Sequence, residues 1–184
     1  LQHAWDVLYA TLNGNGQDIT IAQAGPGAGY IDTGGLVARG AIPGATTVNL
    51  LLNGGINSTG TGLAVNLMAS VTLSGSGTIV GSVYDITATN GGVVSIEGNI
   101  TLGACSAAKI YSQNGGRVQI AASYTTTGNA AAEWIADKTG TIVVSDTATI
   151  TLTGTPAYSL AFAEVGTCGV IACDQGITTF SGSA

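Results

Sequence analysis

Positive charge and aromatic side chains are scarce in this 184-residue chain, which has four Lys and Arg, one His and 5% aromatic residues. Because ten residues are acidic, the net charge at pH 7 is −6. Four scattered cations cannot form a patch that neutralises phosphates, so we expect no binding to nucleic acid. An anionic membrane surface should also repel the chain. No apolar run approaches the roughly 18–20 residues that span a bilayer.

Cysteine and proline are also rare, with three residues of each. Cys105, Cys168 and Cys173 form no CxxC pair, and an odd number favours buried thiols over a disulfide framework. His3 has no second ligand nearby in the sequence, and a metal site needs several convergent side chains. We therefore predict neither a metal nor a cofactor.

Glycine is abundant, with 29 residues, and the 45% of hydrophobic residues are mostly Ala, Val, Ile and Leu. So much Gly and Thr is unfavourable in helices. The mean hydropathy of +0.42 is too high for a disordered chain. The composition therefore predicts an all-β protein with many turns.

Internal repeats organise the middle of the chain. Residues 90–96 recur at 114–120, 24 positions later, and a related segment follows at 138–144. Each repeat contains short runs in which apolar and polar residues alternate, as expected of strands. Repeats of this length are typical of coils that stack into a parallel β-solenoid.

The spacing of the repeats varies outside this region. A step of 21 relates Val65 to Ile86, and a step of 28 relates residues 146–154 to 174–182. Insertions of a few residues can be absorbed in turns while the strands remain paired. We therefore predict a right-handed parallel β-helix over residues 17–184, with coils of about 21–28 residues.

The repeat register predicts which side chains stack inside the solenoid. One interior column consists of Ile86, Ile110, Trp134 and Phe162. Two more consist of Val94, Val118 and Ile142, and of Ile96, Ile120 and Val144. The neighbouring position, which we expect to face outward, carries Asp85, Lys109 and Glu133. Their alternating signs avoid repulsion between stacked charges, so we interpret them as a charge ladder on the solvent-exposed face.

Three Asn-Gly-Gly segments, at residues 53–55, 90–92 and 114–116, predict repeated corners. The last two, which are Asn90, Gly91 and Gly92, and Asn114, Gly115 and Gly116, lie in successive coils. Glycine adopts positive φ at little cost, and Asn tolerates the same conformation. The two Asn side chains should also stack as an amide ladder.

The first residues have a different periodicity. Leu1, Trp5, Leu8 and Leu12 lie at the spacing of one helical face. We predict an amphipathic helix over residues 3–12 within a capping segment, residues 1–16. Such a helix would cover the first coil, whose open end otherwise exposes unpaired backbone and apolar side chains.

Few residues suggest catalysis. Asp146 and Asp174 occupy equivalent positions if the step of 28 holds, and two acids at about 5–9.5 Å are the requirement of a glycoside hydrolase. They are weak candidates, because Asp in such turns commonly bonds to its own backbone. The Thr-rich strands suggest an ice-binding array, but the same step aligns Thr149 with Ile177 and interrupts it.

Several segments carry a family resemblance. Residues 4–8, 17–21, 130–136 and 141–144 resemble the β-helical part of bacteriophage tail-fibre and tailspike-type proteins. In those proteins an N-terminal helix precedes a pectin-lyase-like right-handed β-helix, usually assembled as a homotrimer. The resemblance covers most of the chain and implies an extracellular virion component that contacts other virion proteins and a host surface glycan. No acid motif matches, so no catalytic residue is carried over.

We therefore expect a rigid β-helical segment of a phage tail fibre or spike, not an enzyme. The alternative is a β-helical enzyme that cleaves polysaccharides. A further alternative is an ice-binding or adhesin solenoid.

Overall fold

The computed structural model describes residues 1–23, 31–45, 47–173 and 179–182. Helix α1 spans Gln2–Thr11, and twenty strands follow in three sheets. Sheet A contains β1 (Ile19–Ala22), β4 (Val48–Leu52), β7 (Ser70–Gly75), β10 (Val93–Ile96), β13 (Arg117–Ile120), β16 (Thr141–Val144) and β19 (Val170–Cys173). Sheet B contains β2 (Ile31–Asp32), β5 (Gly55–Ser58), β8 (Thr78–Gly81), β11 (Thr101–Leu102), β14 (Tyr124–Thr127), β17 (Thr149–Thr153) and β20 (Thr179–Gly182). Sheet C contains β3 (Leu36–Arg39), β6 (Thr61–Asn66), β9 (Tyr84–Thr89), β12 (Ala108–Gln113), β15 (Ala130–Asp137) and β18 (Tyr158–Val165).

The chain visits the three sheets in turn and so forms a β-solenoid, as the repeats predict. Each strand pairs in parallel with the strand three places along the chain, for example β10 with β13 and β13 with β16. Neighbouring coils are therefore about 4.8 Å apart, and equivalent side chains stack along the axis.

The predicted interior columns are confirmed in the central coils. Ile86 pairs with Ile110, and Ile110 with Trp134. The columns that begin at Val94 and Ile96 also follow the predicted register. All these side chains are buried in one continuous hydrophobic core. Stacking of branched aliphatic residues thus fills the interior without a large globular core.

The prediction for Phe162 is wrong. Trp134 pairs with Ala163, because the register between β15 and β18 shifts by one residue between Ala130 and Ala132. The shift moves Phe162 out of register with Trp134, but its side chain still packs against the core. Phe162 instead lies beside the column, half-buried, with its ring edge-on to Trp134 at 5.1 Å between centroids.

The steps of 21 and 28 are also wrong. Ile86 pairs with Leu63 across a step of 23, and Thr149 pairs with Thr179 across a step of 30. Both errors equal two residues, which is the period of inward and outward side chains in a strand. Alternation therefore cannot distinguish the right step from the wrong one. Ile177 lies outside the described residues.

Helix α1 begins and ends one residue before the predicted bounds. Trp5 is buried, and Leu1 and Leu8 pack against the core, whereas Leu12 is exposed. The Gln2 amide also pairs with β3, the edge of sheet C. Its Nε2 donates to the Val37 oxygen at 3.1 Å, and its Oε1 accepts from the Val37 nitrogen at 2.6 Å. The side-chain amide of Gln2 therefore forms the two hydrogen bonds that a neighbouring strand would form with Val37 at this sheet edge.

The Asn-Gly-Gly segments at 90–92 and 114–116 form corners between sheets C and A. The segment at 53–55 instead connects β4 of sheet A to β5 of sheet B, so it is not an equivalent corner. φ is positive at Asn90 and Gly91, and again at Asn114 and Gly115, as the turn requires. The Asn114 amide donates to Asn90 Oδ1 at 3.4 Å, which is a long hydrogen bond within the predicted ladder.

The third residue of each corner has a stricter requirement. A Cβ at Gly116 would lie 2.1 Å from the Ala88 oxygen of the preceding coil. Gly140 and Gly169 have the same close approach to a backbone oxygen at 2.1 Å. The second corner position is less demanding, since Thr139 and Cys168 occupy it with positive φ. Close coil-to-coil contact thus explains the glycine at the third position of these corners, whereas the equivalent corner between β6 and β7 has Ala69 there.

Gly116→Ala should therefore destabilise the protein far more than Gly115→Ala. A Cβ at position 115 meets no atom within 4 Å, so only the positive φ is unfavourable, at about 1 kcal/mol. At position 116 the backbone must move, and we expect about 3 kcal/mol. Urea unfolding of the two variants measures the difference, and equal losses would contradict the close-approach argument.

Candidate functional site

The charged column lies inside the protein, not on the solvent-exposed face. Asp85, Lys109 and Glu133 each have 0% of their surface exposed, so the prediction of an exterior ladder is wrong. Strand β12 buries three consecutive residues, 108–110, and β15 buries 132–134. These strands depart from strict alternation where they leave the corner between sheets B and C. This local departure is why the outward assignment failed.

Glu133 is the best-satisfied member of the column. Its Oε1 accepts a hydrogen bond from the Tyr124 hydroxyl at 2.6 Å. Its Oε2 accepts from Thr126 at 3.0 Å and from Tyr158 at 2.6 Å. The Trp134 indole in turn donates to the Tyr124 oxygen at 2.8 Å. Burial raises the pKa of Glu133, although the three donors oppose this effect.

Lys109 uses its ammonium group to bind backbone carbonyls. Its Nζ donates to the Gly103 oxygen, and to the Thr127 oxygen at 2.8 Å. These carbonyls come from the corners of two neighbouring coils. The positive charge of Lys109 also lowers the pKa of both Asp85 and Glu133. The cation therefore lies between the two carboxyl groups while its own hydrogen bonds join the coils.

Asp85 is only partly satisfied. Its Oδ1 accepts from the Gly81 nitrogen at 2.8 Å, but its Oδ2 is buried without a hydrogen-bond partner. Burial raises the pKa of Asp85 to about 8, against the opposing effects of Gly81 and Lys109. Asp85 is thus mainly protonated at neutral pH.

A cavity of about 310 Å³ lies at the same corner of the solenoid. Cys105, Asn129, Tyr158 and Ser159 line it. Tyr158 connects the cavity to the column, since its hydroxyl binds Glu133. Burial, with a smaller effect of Asp85, raises the pKa of the Cys105 thiol to about 12. Cys105 is therefore a neutral thiol at physiological pH and a poor nucleophile.

The acid pair suggested by the sequence is not assembled in the described structure. Asp146 is exposed, with the Ser145 hydroxyl 3.4 Å from its Oδ1. Asp174 lies outside the described residues, so the pairing stays a prediction. Across the described ranges, no three His, Cys, Asp or Glu side chains gather as metal ligands.

No family model, no curated protein and no solved structure matches the chain. Within the described residues, no helix is both long and apolar enough to cross a membrane. Function is therefore argued from geometry.

The buried column is suited to holding coils together, not to acting on a substrate. Both carboxyl groups are inaccessible, and burial raises the pKa of the Tyr124 and Tyr158 hydroxyls, which disfavours their use as bases. The sequence reasoning missed the two tyrosines and Thr126 as partners of Glu133. One signal was available, since each charged residue lies directly between Ala or Tyr and an apolar core residue.

Lys109→Met should strongly destabilise the protein. Removal of one partner from a buried charged group typically costs about 3–5 kcal/mol, because the remaining charge has no compensation. Arg117→Met is the matched control, since it removes an exposed positive charge from the adjacent strand β13. Chemical unfolding of both variants tests the claim, which fails if the two lose similar stability.

Asp85→Asn should remove a pH dependence of stability. The pKa of Asp85 is about 8 in the folded state against an ordinary value of 3.8, so folding retains a proton that the unfolded chain releases. Stability of the wild type should therefore fall as pH rises from about 4 to about 8. The Asn variant lacks this slope and should exceed the wild type in stability above about pH 8.

The control for this prediction is Asp146→Asn, which changes an exposed carboxyl group. Its free energy of unfolding should follow the wild-type pH profile. A wild-type profile that is flat between about pH 5 and 8, or one that Asp85→Asn leaves unchanged, would refute the assignment of the proton to Asp85.

Proposed function

We propose that this chain is a rigid β-helical segment of a virion attachment fibre. The observation that carries the proposal is the unbroken pairing of three parallel sheets along one axis. Each added coil contributes main-chain hydrogen bonds in every sheet and another layer of buried side chains. A molecule built in this way resists bending and proteolysis, which are the requirements of a rod exposed outside a cell.

The interior supports a mechanical role. It contains stacked aliphatic columns and a charged column whose hydrogen bonds link β14, β15 and β18 through Glu133. The described catalytic candidate, Asp146, lies on the surface. Geometry therefore favours a scaffold that binds over an enzyme that cleaves.

The outer face of sheet C offers chemistry for contact with a host glycan. The rings of Tyr84 and Tyr111 stack at 4.9 Å between centroids, with 11° between their planes. The Tyr111 hydroxyl donates to Gln113 Oε1 at 2.7 Å, which fixes the edge of the ring beside a planar amide. Aromatic rings and amides present apolar faces and hydrogen-bonding groups together, as sugars require.

The proposed assembly is a homotrimer attached to other virion proteins. We expect light scattering of the purified chain to give three times the protomer mass of 18.0 kDa. A monomer at micromolar concentration would contradict the trimer. Electron microscopy should then show straight rods in place of compact particles.

Glycan contact is tested separately with bacterial surface polysaccharides on an array. Tyr111→Ala should abolish binding, whereas Tyr9→Ala, which truncates an exposed tyrosine of α1, should leave it unchanged. Binding that survives Tyr111→Ala would remove sheet C as the contact face. Release of reducing ends from a bound polysaccharide would favour the alternative function, a β-helical enzyme that cleaves polysaccharides.

A further inference from the structure

A column of threonines runs along the outer face of sheet B. The register pairs Thr78 with Thr101, Thr101 with Thr125 and Thr125 with Thr151. Ser181 continues the column in the next coil. The steps between these threonines are 23, 24 and 26 residues, and the step of 30 between β17 and β20 places Ser181 over Thr151. The supposed interruption by Ile177 therefore does not apply to this column.

The array has a second dimension in two successive coils. Strand β14 and the residue before it present Ser123, Thr125 and Thr127, and β17 presents Thr149, Thr151 and Thr153. Rows lie about 4.8 Å apart along the axis, and alternate residues lie about 6.7 Å apart along a strand. The Ser123 oxygen accepts from the Thr149 nitrogen at 2.9 Å, which ties the two rows together.

The hydroxyl groups of the central column are available to solvent. Thr78 is exposed and Thr101, Thr125 and Thr151 are partly exposed, and no group in the described residues forms a hydrogen bond with their side-chain oxygens. The inward neighbours Ile79, Leu102 and Ile150 are fully buried. The core therefore holds the strands, and the β-branched threonines have few rotamers of their own.

Charge is absent from this part of the surface. Strands β8, β11, β14 and β17 contain no charged residue, although the whole chain carries −6. The outer face of sheet A differs, since it includes Glu97 near the end of β10 and Arg117 in β13. These strands therefore present hydroxyl and methyl groups without charge.

We infer that the outer face of sheet B is an ice-binding surface, an activity separate from host attachment. Threonine hydroxyls would take the positions of water oxygens at the ice surface, and the methyl groups would fill the spaces between them. The array loses regularity in the column of Thr127 and Thr153. In the two preceding coils this column contains Gly103 and Val80. The regular area is therefore small, and we expect inhibition of ice recrystallisation with only a small depression of the freezing point.

Partition of the full chain into slowly grown ice tests the inference. The wild type should be enriched in the ice phase, whereas the double variant Thr125→Tyr/Thr151→Tyr should be excluded to the level of an unrelated protein. Thr72→Tyr is the matched control, because it places the same bulk on the outer face of sheet A. It should partition like the wild type.

Circular dichroism establishes that each variant is folded. If the tyrosine variant does not fold, Thr125→Val/Thr151→Val removes only the hydroxyl groups and should still reduce uptake into ice. Exclusion of the wild type from ice, equal loss in Thr72→Tyr, or unchanged uptake in the valine variant would overturn the inference. Neutral polysaccharide binding that depends on Thr125 without ice uptake would overturn it too, and would place attachment on sheet B.

Discussion

The described strands of the solenoid lie over their equivalents in the preceding coil, and this parallel register governs the rest of the structure. At about 4.8 Å between coils, side chains in one column are in direct contact. A column therefore accepts only residues that pack with themselves or compensate one another. Ile86, Ile110 and Trp134 satisfy this constraint by apolar packing. Gly116 satisfies it by having no Cβ, because the backbone of the preceding coil occupies that space.

The same constraint explains the buried charges. Stacked like charges would repel strongly in an interior of low dielectric constant, whereas a cation between two carboxyl groups compensates both. Lys109 occupies this middle position, and Asp85 lowers the remaining cost by retaining a proton at neutral pH. Asp85 Oδ2 still lacks a partner. The column thus combines strong links around Glu133 with one weak point in β9.

The sequence predicted the class of fold and the central columns, because 24-residue repeats there align without insertions. It failed where two step lengths give the same alternation of inward and outward residues, and where a local bend changes the direction of a side chain. Errors of two residues, as at Thr149, are invisible to alternation, and the one-residue shift that displaced Phe162 is a local bulge. Burial of Lys109 needed the bend at the corner, where the Gly103 and Thr127 carbonyls accept from its ammonium group. The hydrogen bonds of Glu133 come from residues in two other strands and could not be derived from spacing.

Since stacking occupies the interior, the proposed recognition depends on the outward residues. These residues are free to differ between sheets, because only the inward half of each strand is constrained by packing. Sheet C places Tyr111 beside Gln113, whereas sheet B repeats threonine through Thr125 and Thr151. An aromatic and amide face suits sugars, and a uniform hydroxyl face suits ordered water. The solenoid therefore presents two different surfaces, and a register error of one residue would exchange the inward and outward side chains of each strand.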